Sequence, residues 1–371
     1  MKITVKKCEK IKTGYSVEIE PKDIFYVDGK GGQLGDRGQI GEANVLEVRE
    51  NEIILDRELL PNNYDVIIDE KRREDIAYQH TSQHMFSAVA YNDYSLNTVG
   101  FRMTEEYTTV DLDSNEIDEN TISELERKTN AIITQGIELK IYVMNNEEAR
   151  KIEGLRKAIK DKVQGDVRFV EIPGVDLGAC AGFHVKNTKD IRVFKLIHHE
   201  KIKGNYTRFY FIAGDRALKD YNYKHRLSKD LCHKFSCKDH EIKEMIEKAL
   251  DEKRKVEGEY KNIASHYAEL LAEKLLKESE TINQYQPIFY FGDTTVAQFL
   301  GRYMGETNIL ITGNGNNFSI LSQQFDCKEF IKYLTSKNPN IKGGGNSTKG
   351  NFKGEIDMIQ LKNILIEYIS K

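Results

Sequence analysis

The sequence predicts an α+β protein in four parts: a small N-terminal β-barrel over residues 1–72, an α+β domain over 73–216, a long helical segment over 217–283, and a C-terminal α/β, glycine-rich domain over 284–371. Three observations carry this reading. Short runs rich in Val, Ile, Phe and Tyr, punctuated by glycines, fill the chain up to about residue 70, as in a small barrel. Helical and strand-like periodicities then alternate up to residue 213. The stretch 217–279 is charged, has no proline and has a single glycine, Gly258, so nothing in it breaks a helix.

The barrel strands are expected in KITVKK, YSVEIE, DIFYV, NVLEV and NEIILD. A helix is expected over 73–91, where Ile76, Met85, Ala88 and Val89 lie near helical spacing. TTVDLD at 108–113 reads as a strand, and 117–136 as a helix whose apolar face is Ile122, Leu125, Ala131, Ile132 and Ile133. Strands at 138–144 and 167–172 are expected to flank a helix at 146–160, and 191–213 to give two more strands. Within 217–279, Ile242, Met245, Ala249, Val256, Tyr260, Ile263, Tyr267 and Leu270 follow largely three- and four-residue steps. That pattern points to a helical hairpin or a dimer seam, and so to a homodimer formed by 217–283 with the C-terminal domain. IFYFG, NILITG and FSILSQ read as strands and 357–369 as a closing amphipathic helix.

With 371 residues the chain is long enough for two or three domains, each with its own core. Its 39% apolar and 31% charged residues are ordinary for a soluble globular protein, and no run approaches the roughly 20 apolar residues that span a bilayer. The N-terminus alternates like a strand and has no signal-peptide pattern, so the expected location is the cytoplasm. A net charge of −4 gives no bulk attraction to nucleic acid, although a local basic face suffices for that. Cys8, Cys180, Cys232, Cys237 and Cys327 are scattered and odd in number, which leaves metal binding or burial as their roles.

Two motifs carry chemistry. In His80-Thr81-Ser82-Gln83-His84 the histidines stand four apart, on one face of a helix and one turn from each other, within reach of one ion. Alone, the pair also fits two histidines hydrogen-bonded at a helix surface. Cys180-Ala181-Gly182-Phe183-His184 places a thiolate and an imidazole four residues apart. Three imidazoles and one thiolate have the composition of a tetrahedral zinc site, so His80, His84, Cys180 and His184 are the candidate ligands of one Zn²⁺ per chain. His198-His199 lie on a strand, where neighbours face opposite ways, and Cys232, His233, Cys237 and His240 lack CxxC spacing. HTSQH also lacks the glutamate of the HExxH peptidase motif.

At these motifs the sequence resembles the editing domain of alanyl-transfer RNA synthetase and its free-standing relatives, the AlaX proteins. Phe25-Tyr26 and Gly31-Gly32-Gln33-Leu34-Gly35-Asp36-Arg37-Gly38 resemble the family's FY…GGQxGDxG segment. Arg73 with His80 and His84 resembles its arginine and HTxxH. Thr98-Val99-Gly100-Phe101 and Val110-Asp111-Leu112-Asp113 resemble the segment beside its pocket. Val167-Arg168, Cys180, His184 and Thr188 resemble the run that holds CGGTHV. The stretch 342–354 resembles the DHH-associated domain that follows the synthetase's editing domain. Two departures stand out: Ala181 replaces a glycine and Phe183 a threonine, and an extra residue falls around Lys30.

The resemblance implies a long-form, free-standing editing protein that hydrolyses Ser-tRNA(Ala), and Gly-tRNA(Ala), by zinc-assisted ester hydrolysis. Such a second hydrolytic site is useful because an apolar pocket separates near-isosteric amino acids only modestly. Gln83 and Thr98, with Gly100, are candidate residues at the reacting end. Gly31, Gly32 and Phe183, and the loop residues Lys342, Gly343, Gly344, Gly345 and Lys349, are candidates for gripping the aminoacyl end and RNA phosphates. Phe352 reads as buried, with stacking on a base as its alternative. Other readings of the same residues are a deacylase for another aminoacyl-tRNA, which Phe183 keeps open, and a non-catalytic zinc-containing tRNA-binding protein.

Overall fold

Six antiparallel strands close into a barrel at the N-terminus of the computed structural model, which describes residues 1–159 and 164–371. They are β1 (Lys2–Ile11), β2 (Gly14–Glu20), β3 (Gly38–Ile40), β4 (Ala43–Val48), β5 (Ile53–Leu55) and β6 (Asn62–Ile68), in the order β1-β2-β5-β4-β3-β6. Alternation along each strand turns Ile3 and Val5, Val17 and Ile19, and Val45 into one apolar core. The expected strand DIFYV does not form. A 3₁₀ turn covers Lys22–Ile24, and Phe25 plugs the barrel. Tyr26 gives its N–H to Asp36 Oδ2 (2.8 Å) and its carbonyl to the Asp36 N–H (2.9 Å), so neither group is left for a ladder.

The chain divides between Asp230 and Leu231 into two units. In the first, helix α1 (Glu70–Tyr94) begins at Asp69, whose carboxylate accepts the Arg72 N–H. It ends at Ser95 in the left-handed region, and exceeds the expected 73–91 by about a turn at each end. It packs on a four-stranded sheet of order β12-β13-β8-β7, made of β7 (Thr98–Met103), β8 (Thr108–Leu112), β12 (Phe194–Ile202) and β13 (Tyr206–Ala213). Phe86 of α1 meets Phe194, Phe209 and Phe211 there, with ring centroids 5.7, 5.4 and 6.5 Å away. Helix α2 (Glu119–Gln135) buries Ile122, Leu125, Ile132 and Ile133 as expected. Ala131 is only half-buried; Thr129 is buried instead, with its hydroxyl donated to the Leu125 carbonyl.

Strand β9 (Lys140–Met144) is followed by a helix α3 of only four residues (Asn146–Ala149), not one reaching 160. Asn145 caps its start, but Gly154 adopts φ +81°, which a helix cannot absorb, and Arg156 turns away toward Asp176. Residue 160 lies outside the described residues. Strands β10 (Val167–Ile172) and β11 (Asp176–Ala179) complete a second sheet with β9.

Helix α4 (Asp215–Phe235) contains the division between the units, and α5 (Ile242–Glu278) follows after a break in which Ser236 has φ +51°. In the second unit Ala264, Ala268 and Ala272 of α5 are buried against Ile288, Leu300 and Leu310. Val256, Tyr260, Ile263, Tyr267 and Leu270 are exposed. A five-stranded sheet runs β14-β15-β16-β18-β17: β14 (Gln286–Tyr290), β15 (Asn308–Asn314), β16 (Asn317–Leu321), β17 (Lys342–Gly345) and β18 (Lys349–Lys353). Helices α6 (Thr294–Leu300), α7 (Cys327–Lys337) and α8 (Met358–Ile369) cover it. The glycine-rich stretch is thus a β-hairpin. Phe352 is buried as expected, stacked on Phe318 at 5.1 Å. Among the described residues no helix is long and apolar enough to cross a membrane.

Candidate metal centre

Helix α1 buries polar side chains on nearly every side between Gln79 and Ser87. Buried polar groups need partners, so such a helix marks a site or a network. Gln79 is structural: its amide donates to the Ala213 carbonyl (2.9 Å) and accepts the Ala213 N–H (3.0 Å). His80 and His84, one turn apart, instead meet Cys180 and His184 from the loop after β11. One ligand atom from each of the four lies within 4.8 Å of all the others. His80 Nε2 is 3.5 Å and His184 Nε2 3.3 Å from Cys180 Sγ.

Each imidazole is held by its other nitrogen. His84 Nδ1 is 2.7 Å from Asp176 Oδ2, and Arg156 Nε donates to Asp176 Oδ1 at 2.7 Å. His80 Nδ1 is 2.7 Å from Gln33 Oε1, which also accepts the Phe183 N–H at 3.0 Å. His184 Nδ1 is 3.1 Å from Thr81 Oγ1. With Nδ1 engaged outward, the Nε2 atoms are left for the centre, an arrangement that fixes tautomer and ring orientation in metal sites. The loop carrying Cys180 and His184 is clamped by Arg168, whose guanidinium donates to the carbonyls of Cys180 (2.6 Å) and Gly182 (3.0 Å). At Gly182 a Cβ would come within 2.3 Å of the His80 ring, so the backbone passes only as glycine.

The charges fit a cation. Burial pushes the Cys180 thiol up, but hydrogen bonds from His184, His80 and His84 outweigh it and bring it down to about 2. Burial also opposes a charge on His84, but its bonds to Asp176 and Cys180 raise it to about 9. Burial lowers His80. Burial and the neighbouring His80 bring His184 down to about 3. The cluster is therefore a thiolate among imidazoles, one of them protonated, and an ion at its centre would replace that proton.

Gln83 and Thr98 are buried, not surface polar: Gln83 Nε2 and Thr98 Oγ1 both reach Ser87 Oγ, at 2.8 and 2.7 Å. Gly100 lies against the Asp111 carboxylate, which Arg208 grips at 2.7 and 2.8 Å. Gly31 has φ +65° and Gly32 φ +81°; a Cβ on Gly32 would strike the Phe101 ring at 2.6 Å, and that ring stacks on His80 at 5.3 Å. Phe183 packs on Tyr26, with centroids 5.0 Å apart, and under the Arg73 guanidinium at 5.1 Å. In the second unit, Lys342 and Lys349 line an open cleft of about 780 Å³ with Asn314, Asn317 and Ser319. Gly343 and Gly345 lie against β18 and Gly344 faces open space. Sequence reasoning gave no role to Gln33, Thr81, Arg168, Arg156 or Asp176. The first three sit inside or beside the quoted motifs, whereas nothing in the local pattern marks the other two.

The family model described as "Threonyl and Alanyl tRNA synthetase second additional domain" matches residues 167–210, the stretch that carries Cys180 and His184. More particularly, the chain is similar to alanyl-tRNA editing protein Aarsd1. It is 28% identical to the Bos taurus protein over 274 residues, 72% of this chain and 61% of that protein. With the Mus musculus protein it shares 29% identity over 236 residues, 62% and 56% of the two chains. It is also 26% identical over 295 residues to the alanine–tRNA ligase of Nostoc sp., covering 76% of this chain and 33% of the ligase. The matches thus span less than two thirds of each relative's own length.

Proposed function

We propose that the protein is a trans-editing hydrolase that cleaves the ester of mischarged Ser-tRNA(Ala), and of Gly-tRNA(Ala), with one Zn²⁺ held by His80, His84, Cys180 and His184. The observation that carries this reading is the four-donor cluster with all three imidazoles fixed from behind. Zn–S bonds of about 2.3 Å and Zn–N bonds of about 2.0–2.1 Å at tetrahedral angles require S···N separations of about 3.5 Å. The 3.3 and 3.5 Å separations here match that requirement. Zinc, when bound, supplies Lewis-acid polarisation or lowers the pKa of water.

The chain's own residues do the rest. Asp176 and Gln33 hold His84 and His80 in position. His184 has the weakest outer partner, a hydroxyl, and is the ligand best able to yield a place to substrate or water. The Gln83–Ser87–Thr98 network presents an amide and hydroxyls one turn along α1 from His80 and His84, suited to a small polar side chain. Lys342 and Lys349 are suited to RNA phosphates. The exposed stripe Val256, Ile263, Tyr267 and Leu270 is suited to pairing two copies.

The test is deacylation of tRNA(Ala) charged separately with labelled serine, glycine and alanine, with and without a chelator. Release of serine and glycine, sparing of alanine and loss of release on chelation are expected. One observation favours a second reading, a non-catalytic tRNA-binding protein: four protein donors close a tetrahedron and leave no open position. RNA binding without release of any amino acid would select it.

A further inference from the structure

The turn between α4 and α5 holds two cysteines that the reading above does not use. Helix α4 ends there in a Schellman cap. The Cys237 N–H donates to the Cys232 carbonyl at 3.0 Å, the Ser236 N–H donates to the His233 carbonyl at 3.4 Å, and Ser236 supplies the left-handed residue with φ +51°. Such a cap sets its first and last residues side by side, where two apolar side chains commonly touch. Here both positions are cysteines, Cys232 and Cys237, each half-buried and each a free thiol. Bond lengths on either side of the 3.0 Å contact limit their Cα atoms to a separation of about 7 Å, the outer reach of a disulfide. Four residues between two cysteines do not make a CxxC pair, but they are the spacing this cap juxtaposes. The Cys232 thiol also donates to Asp239 Oδ1 at 2.8 Å, in the 3₁₀ turn Asp239–Glu241 that leads into α5. That bond is the main cause that pushes the thiol up to about 11, and the neighbouring Cys237 adds to it. Reduced Cys232 therefore keeps its proton and ties the end of α4 to the start of α5.

We propose that Cys232 and Cys237 form a reversible dithiol site, which a low-molecular-weight disulfide oxidises to a bond inside the α4 cap. The proposal is independent of the editing reading. Because Cys232 holds its proton, the first attack falls to the Cys237 thiolate. Its sulfur displaces one thiolate from the small disulfide and leaves a mixed disulfide on Cys237. Cys232 then loses its proton to water, and its sulfur attacks Cys237 Sγ and expels the second small thiolate. Two protein thiols are oxidised, one small disulfide is reduced to two thiols, and the two protons released end on those thiols. Closure changes what holds the joint between the helices. Cys232 gives up its S–H, so its tie to Asp239 is lost, and its sulfur is bound within the end of α4 instead. The pair thus exchanges a contact that reaches α5 for a covalent ring that does not, and a small thiol reverses the exchange.

The experiment treats the full chain and its Cys232→Ser variant with oxidised glutathione, blocks remaining thiols with N-ethylmaleimide, and digests with trypsin for mass spectrometry. Trypsin cuts after Lys229, Lys234 and Lys238, so the two cysteines fall on separate peptides, 230–234 and 235–238. In the wild type these peptides are expected to stay joined, two hydrogens lighter than the reduced pair, and to separate after dithiothreitol. In Cys232→Ser the second step is blocked, so glutathione is expected to remain on Cys237 at a level at least about tenfold above the wild type, where a neighbouring thiol at high effective concentration removes it. Wild-type peptides that come apart without reductant, whether blocked by N-ethylmaleimide or each carrying glutathione, overturn the proposal. So does a Cys232→Ser chain that holds no more glutathione on Cys237 than the wild type does. In either case the two cysteines would serve the cap only as small apolar side chains.

Discussion

Asp176 sits 2.7 Å behind His84, with its other carboxylate oxygen held by Arg156. The carboxylate is almost wholly buried, and although burial opposes its charge, His84 and Arg156 keep it ionised, near a pKa of about 2. This pair sets which nitrogen of His84 faces the centre. Asp176→Asn is expected to lower metal affinity by about 10- to 100-fold while the fold persists, because outer partners of ligating histidines have effects of that size. Competition against a chromophoric chelator measures it, and unchanged affinity would remove Asp176 from the metal's support.

The charge state of the cluster gives a pH dependence. His84, raised to about 9, is protonated at neutral pH, and Cys180, brought down to about 2, is already a thiolate. Metal binding at His84 must expel its inner proton. Affinity is therefore expected to rise about tenfold per pH unit from 6 to 8, the slope for about one released proton per ion. Chelator competition at several pH values reads that slope; a flat profile would show that no proton leaves.

Arg73 joins the barrel to α1 through Asp36, whose carboxylate is completely buried. Arg73→Met leaves that charge without its partner and is expected to cost about 3 kcal/mol of stability. The double variant Arg73→Met, Asp36→Asn is expected to recover part of the loss, since it removes the stranded charge and keeps an oxygen to accept the Tyr26 N–H. Denaturant titration of the three proteins reads both values.

The α5 stripe bears on assembly. Ile263 and Leu270 are each about two-thirds exposed, while Tyr260 on the same stripe has its hydroxyl raised by a hydrogen bond to Asp293. If two copies pair here, Ile263→Glu with Leu270→Glu is expected to shift sedimentation from dimer to monomer without loss of helicity. A wild-type chain that sediments as a monomer at every concentration would end this reading.

Period and punctuation made most elements legible in the sequence. Val17 and Ile19 alternate as a barrel strand must, and Ile122, Leu125, Ile132 and Ile133 recur at helical spacing. The four donors were legible because two short motifs each fix a pair of side chains one turn or one loop apart. Failures came where tertiary partners overrode local pattern. DIFYV has strand composition, but Asp36 takes the backbone of Tyr26. The stretch 146–159 is rich in helix formers, yet the helix closes at Ala149, and Gly154 with φ +81° and the bond from Arg156 to Asp176 keep the residues beyond from resuming it. Asp176 itself was hidden because its role depends on a histidine 92 positions away, which no local window contains.

The same separation has a consequence for how the protein comes to exist. His80 and Cys180 are 100 positions apart, and an ion held by both acts as a cross-link closing a loop of that length. By analogy with a disulfide, such a closure removes up to about 4.7 kcal/mol of chain entropy from the unfolded ensemble. During synthesis the loop cannot close until Cys180 and His184 have emerged and β10 and β11 have docked beside α1. An ion bound by all four donors would therefore report that the first unit is complete.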